Sequence, residues 1–277
     1  GTMSSVARGF ETNAGLLWKL LAETNAPDVR VFYEPGIQWR GVRNALEVIA
    51  GIGINRQIRR AYRWLALGWR PGDRVFLFGY SRGAYGVRSL AGVIDLHGLL
   101  QPEHASMRNT EFVYSYYRER RTSPYAPRFS KRYCWPQDAT PSVEMIGVWD
   151  TVKALGLRIP VLWRLAPNAT EFHNDQLSRI VKRGYHALAR DERRNAFSPV
   201  LWRSRSDWRG QMDQVWFPGS HGDVGGQLSG FTPARRLSNG PLVWILEKAE
   251  AAGLVLPNGW QTRYPVDLDA PSTGMNR

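Results

Sequence analysis

Gly79-Tyr80-Ser81-Arg82-Gly83 places a serine two residues from a glycine on either side. In such a G-x-S-x-G set the glycines let a strand and a following helix approach closely, and the sharp turn exposes the serine hydroxyl. A hydroxyl is a weak nucleophile until a base removes its proton, so this chemistry requires a histidine. Of the five histidines, His97 and His104 follow the elbow helix, His173 lies in a polar loop and His186 in a stretch read as helical. His221 stands apart, four residues beyond an apolar run and inside Gly219-Ser220-His221-Gly222-Asp223-Val224-Gly225-Gly226. Strand ends followed by glycine-rich loops are where α/β folds place reacting groups. The competing reading makes His221 a turn residue held by Asp223. An acid that orients the imidazole belongs after another strand, where Asp150 ends VEMIGVW; the alternative for Asp150 is a helix N-cap. The order Ser81, Asp150, His221 is that of α/β-hydrolases.

These groups need strands and helices at fixed places. Arg74 to Phe78 reads as a strand that runs into Gly79, and Gly83 to Leu96 as the helix after it. Val143 to Trp149 and Gln214 to Phe217 are two further strands, and Val29 to Tyr33 is a short β-branched and aromatic run read as another. Asn55 to Leu67 sets Ile58, Tyr62 and Leu65 near helical spacing with arginines opposite. Met107 to Arg121, Asp175 to Ala189 and Leu242 to Ala252 are also read as helices, Thr122 to Pro136 as a proline-bearing loop, and the tail after Pro257 as irregular. Strands alternating with helices predict an α/β fold, a mostly parallel sheet covered on both faces.

Composition sets outer limits. The chain has 277 residues, 43% hydrophobic and 22% charged, which suits one large globular domain or two small ones and excludes a disordered or collagen-like polymer. The single cysteine, Cys134, excludes an intramolecular disulfide framework. With 37 Lys and Arg against 24 Asp and Glu the net charge is +13, compatible with nucleic acid, an anionic membrane, an acidic substrate or simple self-repulsion. No apolar run approaches the roughly 20 residues of a spanning helix, and no signal segment opens the chain. No paired-histidine or cysteine spacing suggests a metal, and Gly51-Ile52-Gly53 has no following Lys-Ser/Thr to make a nucleotide loop. No cofactor or metal is expected.

Four blocks carry a specific likeness. GWRPGDRVFLFGYSRGAYGVRSLAGVI, MIGVWDTV, YHALARDERRNAFSPVLW and QVWFPGSHGDVGG occur in that order. Together they resemble the catalytic domain of bacterial type VI secretion lipase effectors of family 1. The resemblance implies an α/β-hydrolase-like fold and hydrolysis of phospholipid or other lipid esters. Ser81, Asp150 and His221 fall on the family's triad motifs. The Arg82 N–H is a first oxyanion donor, and the Gly1-Thr2 turn, Thr2 in particular, would supply the second. Gly79, Gly83 and Asp223 would support the loops. The family begins with a strand running into Asp-Gly-Thr. Here Gly1-Thr2 and Thr12-Asn13 fit that layout without the strand, so the expectation is one domain over 1–277 whose first strand lies outside this sequence. Two departures are His-Gly-Asp in place of His-Ser-Asp, and Gln227 where a third glycine is usual.

Residues 112–135 hold six Lys or Arg, one Glu and eight aromatic rings. A cap insertion over 107–142, touching an acyl chain and anionic headgroups, is one reading of them. Single-stranded nucleic acid binding and aromatics packed on the core are the others. Three functions remain open: a phospholipase or lipase acting in the bacterial cytoplasm or delivered by type VI secretion, a soluble carboxylesterase, and an inactive hydrolase-fold binding protein. The first brings an ester substrate, an anionic membrane surface and an immunity or secretion-apparatus protein as partners, and disfavours nucleic acid.

Overall fold

Strand β1 (Val75–Tyr80) alternates its side chains between two apolar layers. Val75 and Leu77 enter one, and Phe76, Phe78 and Tyr80 the other, as the two-residue period of a strand requires. In this computed structural model the described residues are 10–24, 26–36, 52–119, 125–139, 141–152, 176–203 and 206–274. Among them β1, β2 (Val143–Trp149), β3 (Arg183–Ala189) and β4 (Gln211–Phe217) form one sheet in the order β1-β2-β3-β4, every pair parallel. All four strands therefore end at one edge of the sheet, and the loops that follow them meet there.

Helices cover both faces. Helix α2 (Ile52–Gly68) buries Ile54, Ile58, Tyr62 and Ala66 at four-residue spacing; of the expected stripe Ile58 and Tyr62 are buried and Leu65 is partly buried. It packs on α3 (Arg82–His97), which follows β1 directly. On the other face α1 (Asn13–Thr24) and α7 (Arg235–Ala251) cover Met145 and Trp149 of β2, and Trp149 Nε1 donates to the Pro241 carbonyl at 3.0 Å. Each such large side chain contributes roughly 1.5–3 kcal/mol by leaving water. The α/β fold with a parallel sheet and helices on both faces is as the sequence predicts.

Three elements differ from expectation. The stretch Asp175 to Ala189, read as a helix, holds strand β3, in which Gly184 through Ala189 are all buried. A strand buried on both faces loses its polar alternation, so YHALA carries no period that separates it from a helix. The expected loop after Thr122 contains helix α5 (Tyr125–Tyr133). Pro127 stands in its first turn, where the missing N–H would have had no intrahelical acceptor. Val29 to Tyr33 joins no ladder among the described residues; its rings pack instead, Tyr33 on Trp18 and Phe32 on Trp64, each at 5.3 Å between centroids. The tail after Pro257 is irregular apart from a single-turn helix at Trp260–Arg263.

Helices α4 (Met107–Glu119) and α5 lie against α3, and α4 also reaches α2. Phe112 of α4 stacks on Phe129 of α5 at 4.3 Å, and Tyr133 meets His104 at 4.9 Å. Arg128, Lys131 and Arg132 of α5 are exposed. The helix therefore turns Phe129 and Tyr133 inward and its cations outward, with the Tyr125 ring at its start also exposed.

Candidate active site

Ser81 sits between β1 and α3 with φ 57° and ψ −121°, a backbone conformation that costs a non-glycine residue about 1–3 kcal/mol. Its N–H donates to the Trp149 carbonyl at 3.0 Å, which extends the β1–β2 ladder through the turn. Gly79 makes the turn sterically feasible, because a Cβ there would lie 2.5 Å from the Gly83 carbonyl oxygen and 2.6 Å from the Ala84 nitrogen. Gly83 belongs to the first turn of α3, whose backbone is what Gly79 approaches. Arg82 is the first residue of α3, where helical N–H groups have no intrahelical acceptor.

Asp150 follows β2 with φ 41° and is fully buried. Its N–H donates to the Ala187 carbonyl at 2.8 Å, and its Oδ1 accepts the Ala189 N–H at 3.1 Å. Its Oδ2 is thereby directed at His221 Nδ1, 2.6 Å away. On its other side the imidazole places Nε2 2.9 Å from Ser81 Oγ. Three loops from three strand ends thus converge on one hydrogen-bonded line, and Ser81 and His221 are also buried, at 5% and 4% exposure. With Asp150 ionised, the proton sits on Nδ1 and Nε2 is the acceptor that faces the serine hydroxyl.

The turn that carries His221 is built by Asp223, whose carboxylate bonds the backbone and hydroxyls around it. Asp223 Oδ2 accepts the Ser220 N–H at 2.8 Å, the Ser220 hydroxyl at 2.8 Å and the Ser272 hydroxyl at 2.6 Å, while Oδ1 accepts the Thr273 N–H at 2.9 Å. Burial alone would raise this carboxyl, but those bonds hold it below the usual carboxylate range. They close a capping box on the short helix α6 (His221–Gly225) and tie residues 272 and 273 to it.

Tyr80 is a contact that the sequence pattern leaves as an unspecified position. Its ring lies 4.9 Å from the imidazole, and its hydroxyl is 3.2 Å from both the His221 carbonyl oxygen and Gln227 Oε1. Gly225 admits that ring, since a Cβ there would be 1.9 Å from a Tyr80 ring carbon. Phe197 faces the imidazole from another side at 4.7 Å. The block YHALARDERRNAFSPVLW contains Phe197 and the carboxylates beside it, so motif reading marks the segment without giving it a task.

The other expected residues are placed as follows. His97 ends α3 and meets Tyr116 edge to face at 6.5 Å, and His104 packs on Tyr133. Thr2 and His173 lie outside the described residues, as does the run 37–51 that includes Gly51. His186 stands in β3, where Nε2 accepts the Thr151 N–H at 3.1 Å and Nδ1 faces Gln214 Oε1 at 3.4 Å. Burial, reinforced by the Arg88 cation, drives its pKa down to about 3. In the unfolded chain a histidine gains its proton near 6.5. Stability is therefore whole above that value and falls as pH drops from 6.5 toward 3, because only the unfolded state binds the proton. Between pH 7 and 5 this group alone costs about 2 kcal/mol. Urea unfolding of wild type and His186→Gln at both pH values checks it: the variant's loss over that interval is expected to be smaller by that amount, and an equal loss refutes it.

A parallel sheet with a serine on its strand-to-helix elbow, met by histidine and aspartate from later strand ends, defines an α/β protein of hydrolase type. Residues 1–248 match the family described as "T6SS, Phospholipase effector Tle1-like, catalytic domain", and the chain belongs to that family. An uncharacterized protein of Saccharomyces cerevisiae, YEL023C, is 28% identical over 216 residues, which cover 69% of this chain and 30% of that protein. Among solved structures, an uncharacterized protein from Pseudomonas aeruginosa is similar with 19% identity and a TM-score of 0.42, over 92% of this chain and 38% of the other. The Tle1 effector bound to the VgrG spike of the type VI secretion system is similar with 18% identity and a TM-score of 0.41, over 78% of this chain and 40% of that one. The chain thus spans well under half the length of each of these proteins.

Proposed function

We propose that the protein hydrolyses the carboxylic esters of phospholipids by a serine acyl-enzyme mechanism. The observation that carries this reading is the line Ser81 Oγ, His221 Nε2, His221 Nδ1, Asp150 Oδ2, with steps of 2.9 and 2.6 Å across the ring. Ser81 attacks the ester carbonyl as His221 takes its proton, and Asp150 stabilises the resulting imidazolium. The alcohol leaves with that proton, and water then releases the acyl group from Ser81 by the same relay. The Arg82 N–H meets the oxyanion, a contribution of about 3 kcal/mol for a single donor, and Thr2 supplies the second donor in this reading. Membership of a phospholipase effector family supports the lipid ester as substrate and the type VI apparatus as the route of delivery.

The basic face of α5 supports contact with anionic headgroups. Its Phe129 and Tyr133 rings are engaged with Phe112 and His104, and the exposed surface offers Arg128, Lys131 and Arg132 with one ring, Tyr125. Three cations with a single exposed ring suit a charged lipid surface better than a run of stacked bases. Among the described residues no helix is long and apolar enough to cross a membrane.

The test is fatty-acid release from a panel of phospholipid vesicles, zwitterionic and anionic, with Ser81→Ala as control. Release by wild type alone, faster on anionic vesicles and reduced by salt, is expected. Turnover of short p-nitrophenyl esters with none on any vesicle would make the protein a carboxylesterase, and turnover of neither would make it a binding protein.

A further inference from the structure

The segment 190–197 does more than link β3 to the next turn. Asp191 and Gly219 exchange two hydrogen bonds, the Gly219 N–H reaching Asp191 Oδ2 at 2.7 Å and the Asp191 N–H reaching the Gly219 carbonyl at 3.1 Å. Glu192 Oε2 accepts the His221 N–H at 3.1 Å. With Ser220 N–H on Asp223, three successive amides of the loop end on three different carboxylates. Two of those carboxylates, Asp191 and Glu192, come from this one segment.

Glu192 is held as firmly as it holds. Arg194 donates Nε to Oε1 at 2.8 Å, Nη2 to Oε2 at 2.7 Å and its own backbone N–H to Oε1 at 2.8 Å. The Glu192 side chain is 5% exposed, so a paired guanidinium is what makes its charge tolerable there. Burial pushes the carboxyl up, yet the bonds from Arg194 and His221 bring it down to about 2. The same guanidinium lies 4.1 Å over the Phe197 ring, and Phe197 faces the His221 imidazole at 4.7 Å. One arginine therefore fixes the carboxylate that holds the histidine backbone and covers the ring that flanks its side chain.

We propose that Glu192, with Arg194 and Phe197, is a positioning clasp that sets where His221 stands between Ser81 and Asp150. None of the three touches the reacting atoms in this account, which rests on the Ser81–His221–Asp150 reading above. The Nε2 to Oγ distance depends on where the loop carries residue 221, and nothing in the triad itself fixes that backbone. An error of about 1 Å in such a placement costs on the order of 100-fold in rate. Because the clasp acts through the placement of His221, the loss is expected in kcat.

Short-chain p-nitrophenyl ester kinetics and proton NMR of the His221 Nδ1–H, which bridges to Asp150 and resonates far downfield of the amides, test the clasp together. Glu192→Ala is expected to lower kcat about 10- to 100-fold with KM within about twofold, and to shift or broaden the downfield proton. Glu192→Gln keeps an oxygen for the His221 N–H but turns its NH2 toward the Arg194 donors whose bonds Oε1 now accepts, so its kcat and resonance should fall between those of wild type and alanine. Should Glu192→Ala fail to fold, Phe197→Leu reads the clasp from the ring side, with about a tenfold loss in kcat expected. Wild-type kcat and an unshifted proton in folded Glu192→Ala, or wild-type kcat in Phe197→Leu, overturn the clasp while an inactive Ser81→Ala leaves the triad standing. A wild-type spectrum without the downfield proton, beside an active Ser81→Ala, removes the triad reading and the clasp with it.

Discussion

Ser81→Ala is expected to lower kcat for ester hydrolysis by about 10,000-fold or more, with the fold unchanged. The hydroxyl lies 2.9 Å from His221 Nε2, and its deletion removes the nucleophile without opening a cavity in the core. The turn itself does not depend on that oxygen. The φ of 57° is imposed by the approach of Gly79 to the start of α3, the Ser81 N–H bond to Trp149 and the Tyr85 N–H bond to the Ser81 carbonyl at 3.3 Å. Alanine meets the same backbone restrictions as serine and keeps all three. Fatty-acid release and thermal melting of the two proteins side by side check this. Residual turnover near the wild-type rate in a variant with an unchanged melt would exclude Ser81 as the nucleophile.

The three groups on that line were legible in the sequence because each sits at a local boundary. Ser81 and Asp150 end apolar runs, and His221 opens a glycine-rich turn just past one. Strand ends of this kind are marked by an abrupt change from apolar to polar residues, which a short window detects. The clasp gives no comparable mark. Asp191, Glu192 and Arg194 lie in ARDERRNAF, whose charges name no partner until the fold brings Gly219 and His221 beside them. Tyr80 was hidden for a related reason, since its role depends on Gly225, more than a hundred residues away. The sheet was legible where one face was polar or the run was bounded, and was lost at β3, where burial on both faces erases the period. Helix α5 was lost to Pro127, because a proline inside a polar segment suggests a loop unless the first turn can be located.

The positive charge acquires a partial location in the same way. On α5 Phe129 and Tyr133 pair with α4 and with His104, while Arg128, Lys131, Arg132 and the Tyr125 ring remain outside. Of a mixture that sequence alone leaves open between stacking and electrostatics, two rings go to the inner face of the helix and the cations, with one ring, to the outer. Vesicle binding with and without anionic lipid and salt separates the contribution of those charges from that of the ring.

Asp150→Asn carries the second large effect, expected to reduce kcat about 10,000-fold with little change in stability. The reason lies in which way an amide must point. Oδ1 of Asp150 accepts the Ala189 N–H at 3.1 Å, inside the protein. An asparagine there keeps that bond only if its carbonyl oxygen faces Ala189, which turns its NH2 toward His221 Nδ1. Nδ1 must then accept, so the ring proton moves to Nε2, the nitrogen facing Ser81 Oγ. A protonated Nε2 cannot take the serine proton, and the hydroxyl stays inert although every heavy atom keeps its place. The reverse orientation would set two N–H donors against each other at Ala189. Asp150→Ala separates chemistry from structure, because it also strands the buried Ala189 N–H and should cost a further roughly 1–3 kcal/mol in unfolding free energy. Steady-state kinetics and urea unfolding of both variants provide the check: asparagine inactive and stable, alanine inactive and destabilised. A kcat for Asp150→Asn within tenfold of wild type would remove Asp150 from the relay, however short its bond to His221.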